Sequence, residues 1–347
     1  MLLDGIFIPL TTPFYRDGGL YVRKIEHNVD RFSKTPAAGL IALGTGGEAS
    51  ALSDAETREV LHAVAQTAAK EKVLIAGISR DSVRSSLAVA EAAGEEGFDA
   101  VLAHAPGGWK SNAEETLVYF RALADASPLP LVLSSGNGAT VLTEDCIAEL
   151  SRHPNVIGLV DADLSVGRYK ALVAATEHVN REVTVTQTFA AVTARMLVAV
   201  SNGAATFVPA EMLASGGAAV AVAPPQPALR TRTKRVGFQI LPASSGDFLP
   251  LLQEGAAGAV PSLAACAPQA CYEVYAAWKD GDAGLAAEKS ERILAASALL
   301  GDELGVAGLK YACDLNGYFG GAPRLPGLLL DGAGRQRVDE AMREIRN

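Results

Sequence analysis

Four side chains able to bind a cation or hold a proton stand at the ends of apolar runs: Glu48, His104, Asp161 and Asp163. Such a set could hold a divalent ion. No HxH, HxxxH or paired-carboxylate motif supports it, so no metal is expected. The plainer reading makes Asp161 and Asp163 the N-cap region of the next helix, and Glu48 an acceptor for loop amides. A second kind of chemistry comes from loops rich in Gly, Ser and Thr: GTGGEAS from Gly44, SGNGAT from Ser135 and SSGD from Ser244. Their hydroxyl and backbone N–H donors suit small oxygen-rich anions or 2-oxo acids, though such loops also serve simply as turns. Lys110, in GGWK, is the lysine expected beside them. It reads either as a solvated loop residue or as an amine that swings in to attack a ketone. Its neighbour Trp109 reads as a pocket wall or as a lid residue at a subunit contact.

Each of these residues needs a strand end to hold it. Short aliphatic runs at 5–10, 39–44, 72–78, 99–105, 129–135 and 155–160 alternate with amphipathic segments at about 22–34, 54–70, 82–96, 112–126, 143–152 and 166–179. Ser53, with Glu56 three residues later, predicts a capping box at the second helix. Regular alternation predicts a parallel sheet with helical crossovers. After residue 182 the pattern stumbles through a strand-like VTVTQTF, an Ala-rich helical segment and a low-complexity stretch. It resumes at VGFQILPAS (236–244), a helix near 246–254 and GAAGAVPSL (255–263), then helices near 267–279, 283–300, 304–316 and 335–346. The expected fold is α/β, a (β/α)8 TIM barrel with a C-terminal helical extension and an insertion, 182–233, between helix six and strand seven. Residues 1–265 would form the barrel with its insertion, and 266–347 the last barrel helix and the helical extension. A doubly wound open sheet is the structural alternative, but its first turn should read GxGxxG and here reads TTPFYRDGG. No cofactor is expected.

The chain has 347 residues, 49% apolar and 20% charged, with a net charge of −9. That balance argues against nucleic acid or an anionic membrane surface as partner. The opening MLLDGIFIPL lacks a basic n-region and reads as a first strand. The best apolar stretch, 212–229, is broken by Gly216-Gly217 and Pro224-Pro225, so no membrane span is expected. Cys146, Cys266, Cys271 and Cys313 form no CxxC pair and read as reduced core residues of a cytoplasmic protein. The insertion reads as an interface element, with Arg230, Arg232, Lys234 and Arg235 a solvated basic edge.

Several stretches together resemble the dihydrodipicolinate synthase / N-acetylneuraminate lyase family of class I pyruvate aldolases. They are TPF and DGG within 12–19, GTGGEASALSDAE at 44–56, VLIAGIS at 73–79, and HPNVIGL with its acidic turn at 153–163. GVAGLKYACDLNGYFGGAPRLP (305–326) and VGFQIL (236–241) look most like the 4-hydroxy-2-oxoglutarate aldolase branch. The resemblance covers nearly the whole chain outside about 182–233. It implies a barrel, a homo-oligomer (dimer or tetramer), and a pocket for a 2-oxo acid or sugar acid at the C-terminal face. It also implies a lysine ending strand six, whose amine forms a Schiff base with the substrate ketone. Against that pattern, Val160 stands at the lysine position, Ser134 where strand five should end in a tyrosine, and Gly108 where a second tyrosine belongs. The carboxylate-binding turn survives as Gly44-Thr45-Gly46-Gly47-Glu48 without its second hydroxyl. Lys310 matches a non-catalytic position and reads as a helix-surface or inter-helix ion pair; Tyr311 and Tyr318 read as packing.

The resulting expectation is a lyase-family barrel without Schiff-base aldolase chemistry. Thr45, Gly46, Gly47, Ser134, Val160 and Ser244 would face its ligand. One alternative is a non-catalytic partner or regulatory subunit of an active paralogue. The other is an aldolase that uses Lys110 or a divalent metal.

Overall fold

The computed structural model describes residues 1–107, 112–136, 140–202, 229–243 and 246–345. Eight parallel strands surround the centre: β1 (Gly5–Pro9), β2 (Gly39–Ala42), β3 (Val73–Gly77), β4 (Ala100–His104), β5 (Leu131–Ser135), β6 (Val156–Asp161), β9 (Gln239–Pro242) and β10 (Gly258–Ala259). They pair in that order, and β10 pairs with β1. The Val260 N–H donates to Pro242 O at 2.8 Å, tying β10 back to β9 and completing the cylinder. This is a (β/α)8 barrel, as the alternation predicts.

The strands read as unbroken apolar runs because both of their faces are buried. Phe7, Ile41, Ile75, Val132, Val160 and Leu241 fill the interior. Alternate neighbours such as Ile8, Leu40, Leu74, Leu133 and Leu159 face the helices. The crossover helices are α1 (Val22–Ser33), α2 (Asp54–Thr67), α3 (Val83–Glu96), α4 (Ala113–Ala126), α5 (Glu144–Ser151) and α6 (Val166–Ala175). The capping box at α2 is present: Glu56 N–H donates to Ser53 Oγ, and Ser53 N–H to Glu56 Oε2. A second box, Asn112 with Glu115, starts α4.

The flanks of the expected insertion are ordered. β7 (Arg181–Thr186) and β8 (Thr231–Val236) pair antiparallel as a two-stranded ribbon, and α7 (Ala194–Asn202) follows β7. The ribbon grips the N-terminal end of the barrel. Arg181 donates to the carbonyls of Ser151 and His153 before β6 and of Val156 at its start, and Lys234 pairs with Asp4 at 3.6 Å. In the basic edge Arg230, Arg232 and Arg235 are exposed, as expected, and Lys234 is half-buried; Arg232 lies over the Phe189 ring and Arg235 pairs with Glu182. The central part of the insertion, 203–228, lies outside the described residues.

Beyond the short α8 (Leu249–Gln253), the chain ends in α9 (Pro268–Lys279), α10 (Ala283–Ala298), α11 (Gly305–Leu315) and α12 (Gly332–Ala341). A π-type turn, Leu299–Glu303, joins α10 to α11. Such wide turns distort the ladder and are often found at functional sites. Here the turn carries the start of α11 over the C-terminal mouth of the barrel, where Gly301, Gly305, Val306 and Leu309 reach the central cavity. All four cysteines are buried and unpaired. Among the described residues, no helix is long and apolar enough to cross a membrane.

Candidate functional site

The exit of β2 is built by backbone geometry. Leu43 adopts φ 59°, a left-handed value rarely taken by an aliphatic residue. Its carbonyl lies so close to Gly77 that a Cβ there would overlap it, which explains the glycine ending β3. Thr45–Gly47 then form one 3-10 turn, with Gly47 N–H donating to Gly44 O and Glu48 N–H to Thr45 O. Those bonds leave the N–H groups of Thr45 and Gly46 outside the turn's own ladder, where an anion can use them. The turn is fastened underneath, because Thr12 Oγ1 donates to Gly47 O at 2.6 Å.

Across the barrel, strand register sets the opposite wall. His104, Ser134, Val160 and Leu241 stand in one row at the C-terminal ends of β4, β5, β6 and β9. A cavity of about 170 Å³ lies between Ser134 and Val160 of this row, the Thr45–Gly46 turn and α11. Ile41, Leu102, Val160 and Leu309 give it apolar walls, while Thr45, Gly46, Ser134 and Ser262 supply donors. Thr45, Gly46, Ser134 and Val160 are thus brought together as expected. Gly47 does not line the cavity: it is buried, with Leu10 O close to it. Ser244, Gly108, Lys110 and Trp109 lie outside the described residues.

No described residue lining this cavity is a lysine. Lys310, one position beyond Leu309, turns away. It is only 1% exposed, donates to Ala322 O at 2.9 Å, pairs with Glu48 and lies 4.5 Å from the Phe14 ring centre. That corrects its expected place on a helix surface or between helices. Its partner is the loop after β2, and burial pushes its amine below the usual range while Glu48 opposes the shift.

The carboxylates are also committed elsewhere. Asp161 is the last residue of β6, wholly buried, and accepts from Arg168 Nε at 2.9 Å and from Asp163 N–H at 2.9 Å. The N-cap of α6 is Ser165, not the Asp161–Asp163 pair, since Ser165 Oγ accepts from Arg168 N–H. Glu48 Oε2 accepts the Arg324 backbone N–H at 2.8 Å, a loop amide as expected, though one supplied from the far end of the chain. Among the described residues, no three His, Cys, Asp or Glu side chains gather as metal ligands.

Three arginines organise this face and carry no local sequence signal. Arg324 donates to Glu56, Gly18 O and Ala51 O, and stacks 4.3 Å from the Phe14 ring centre, strapping the C-terminal segment across the β1 and β2 loops. Arg168 ties β6 to Leu142 O in the β5–α5 loop. Arg80 follows β3 and is half-buried. The partners of Arg324 lie more than 260 residues away in the sequence, so spacing cannot reveal them.

The dihydrodipicolinate synthetase family matches residues 2–210 and 229–345. The chain belongs to that family. It is 32% identical over 168 residues to a 4-hydroxy-tetrahydrodipicolinate synthase of Neisseria meningitidis serogroup C, a match covering 48% of this chain and 58% of that protein. In such matches the chain spans a little over half the length of its curated relatives. A synthase of Acidiphilium cryptum is 25% identical over 98% of each chain. Among solved structures, the dihydrodipicolinate synthase of Acinetobacter baumannii, determined with pyruvate, superposes with a TM-score of 0.77 at 24% identity, covering 99% of each chain. DapA-2 of Bacillus anthracis gives 0.78 at 20% identity over the full length of both. These likenesses below 25% show the fold alone. Within the family's barrel, this chain's cavity has an apolar β6 wall.

Proposed function

We propose that this chain is a lyase-type member of the family that has lost Schiff-base aldolase chemistry. It binds a 2-oxo acid or sugar acid at the C-terminal mouth of the barrel. The observation that carries this reading is Val160, 5% exposed in the cavity wall at the end of β6. By the resemblance in sequence, that position belongs to the imine-forming lysine, and an isopropyl group has no nucleophile. Lys310 does not compensate, because its amine is held by Glu48 and Ala322 O. Ser134, standing where a tyrosine would shuttle protons, has a hydroxyl far from titrating near neutral pH. Removing groups that act in concert usually abolishes an activity outright. The branch of the family near 4-hydroxy-2-oxoglutarate aldolase is part of the same proposal, as is assembly into a homo-oligomer.

Ligand binding follows from what remains. Thr45 and Gly46 line the cavity, and N–H groups not used by the turn suit a carboxylate, with Ser134 and Ser262 as further donors. Pyruvate and longer 2-oxo acids, titrated by calorimetry, are expected to bind in a single site without turnover. Borohydride added to the same mixture reads whether an imine forms. Saturable binding with no trapped adduct supports the proposal; a trapped adduct removes its first half and no binding removes its second. An adduct mapped to Lys110 would instead support the alternative aldolase.

A further inference from the structure

A second cavity, about 420 Å³, opens beside the first and shares Gly44, Thr45, Leu102 and Ser134 with it, so the two form one cleft. Val160 walls the inner half and His104 the outer half, while Ser134 lines both. Strand register makes the three neighbours, with His104 opposite Ser134 and Ser134 opposite Val160. Leu102, two residues before His104, also lines both halves, so the imidazole shares its inward face.

His104 is fixed at its backbone and at its ring. Its N–H donates to Ser79 Oγ at 2.9 Å, which ties the end of β4 to the loop after β3. Its Nδ1 lies 2.9 Å from Ala105 O. A carbonyl only accepts, so Nδ1 carries the hydrogen, and in the neutral ring Nε2 keeps its lone pair. Among the described residues nothing bonds Nε2, and no carboxylate pairs with the ring. Other histidines are engaged differently: His62 faces Glu96, His153 faces Asp125 and His178 faces Ser151. His104 is thus a held imidazole with an unused basic nitrogen, in the cleft that carries the Thr45–Gly46 turn.

We infer that His104 is a general base for the bound 2-oxo acid, taking a proton from its C3 so that the site enolises the ligand without an imine. The inference rests on the proposed function, since Thr45 and Gly46 must hold the carboxylate that brings C3 to the ring. In the step the C3–H bond breaks and its electron pair becomes the C2=C3 bond. The ketone π pair moves onto oxygen, where the Ser134 hydroxyl can donate, and the proton rests on Nε2. Reversal returns a proton exchanged with solvent, so no net product forms.

The test follows deuterium from D2O into the ligand by proton NMR, with the full-length protein. Pyruvate should lose its methyl signal at least about a hundredfold faster with the wild type than with His104→Asn, the lower end of what a positioned base contributes. Asparagine keeps an N–H for Ala105 O and removes Nε2, so the calorimetric affinity for pyruvate should change by less than about tenfold. Free imidazole should restore exchange to His104→Gly in proportion to its concentration, which a merely structural loss would not allow. Should the variants fail to fold, the wild type still decides through 2-oxobutanoate, which has two hydrogens on C3. One base on one wall reaches one of them, so a single deuterium should enter. Binding without exchange, uptake at both hydrogens at equal rates, or exchange that survives His104→Asn overturns the inference and leaves the proposed function standing. Exchange destroyed by borohydride with pyruvate points to an amine and removes both the inference and the imine-free reading. Failure of the 2-oxo acids to bind removes the two together.

Discussion

At the scale of single residues, Val160 decides the chemistry of the cavity. The row of His104, Ser134, Val160 and Leu241 is fixed by strand register, so a side chain at 160 projects into the cavity whatever its type. Val160→Lys should therefore place an amine there, in apolar surroundings that favour its neutral, nucleophilic form. Borohydride with pyruvate is expected to add mass to this variant, read on the intact protein. Turnover should stay absent, because Ser134 is not a phenol. No added mass would mean that 160 does not face the ligand. Glu56 offers a second residue-scale outcome, in stability. The Arg324 guanidinium holds its carboxyl at about 2, below the ordinary 4.5. The unfolded chain thus binds that proton more readily, so the contribution of Glu56 is complete above about pH 4.5 and is lost as the pH falls towards 2. Acid unfolding followed by circular dichroism should be shallower over that interval in Glu56→Gln.

At the scale of elements, the carboxylate turn after β2 is held by the opposite end of the chain. Lys310 on α11 and the Arg324 N–H both reach Glu48, and Glu48 sits at φ 53°. Replacing Lys310 by Met leaves a buried carboxylate facing no amine. It should cost about 3 kcal/mol of unfolding free energy in urea, the scale of breaking one side of a buried pair. It should also weaken 2-oxo acid binding, because the turn loses its clamp. A change below about 0.5 kcal/mol, the range of an ordinary surface substitution, would place the pair among contacts of no consequence. The elements themselves were legible in sequence: β1 to β6 and their helices follow from apolar runs and caps such as Ser53 with Glu56. The boundaries of α6 and α8, and the two-residue β10, were less so, because Gly-rich and Ala-rich stretches carry little periodicity. The Asp161–Asp163 pair misled in an instructive way. Acidic residues before a helix suggest a cap, yet Asp161 belongs to the strand, where Arg168 neutralises it across one turn of chain. A partner from the far end of the chain, like Lys310 for Glu48, has no expression in local spacing at all.

At the scale of the whole molecule, the barrel's core reaches outward into the C-terminal helices, and the thiols report on it. Cys266, Cys271 and Cys313 are completely buried, and burial pushes Cys146 to about 11 and Cys313 to about 12. A thiol reagent at pH 8 is expected to label none of the four cysteines in the native protein and all of them in denaturant. Rapid labelling of the native state would show that these helices open readily. The same closed core is what makes the cavity's chemistry readable, since Arg168, Arg324 and Lys310 each hold a loop at its rim and none is free to serve as a nucleophile. The central claim is that no amine of this protein forms an imine with a 2-oxo acid at that site. Its most direct measurement is the intact mass of the wild-type protein after borohydride reduction with saturating pyruvate, with Val160→Lys treated alongside. The mass of the wild type should be unchanged. A wild-type mass raised by one reduced pyruvate, lost when free pyruvate is omitted, would contradict it.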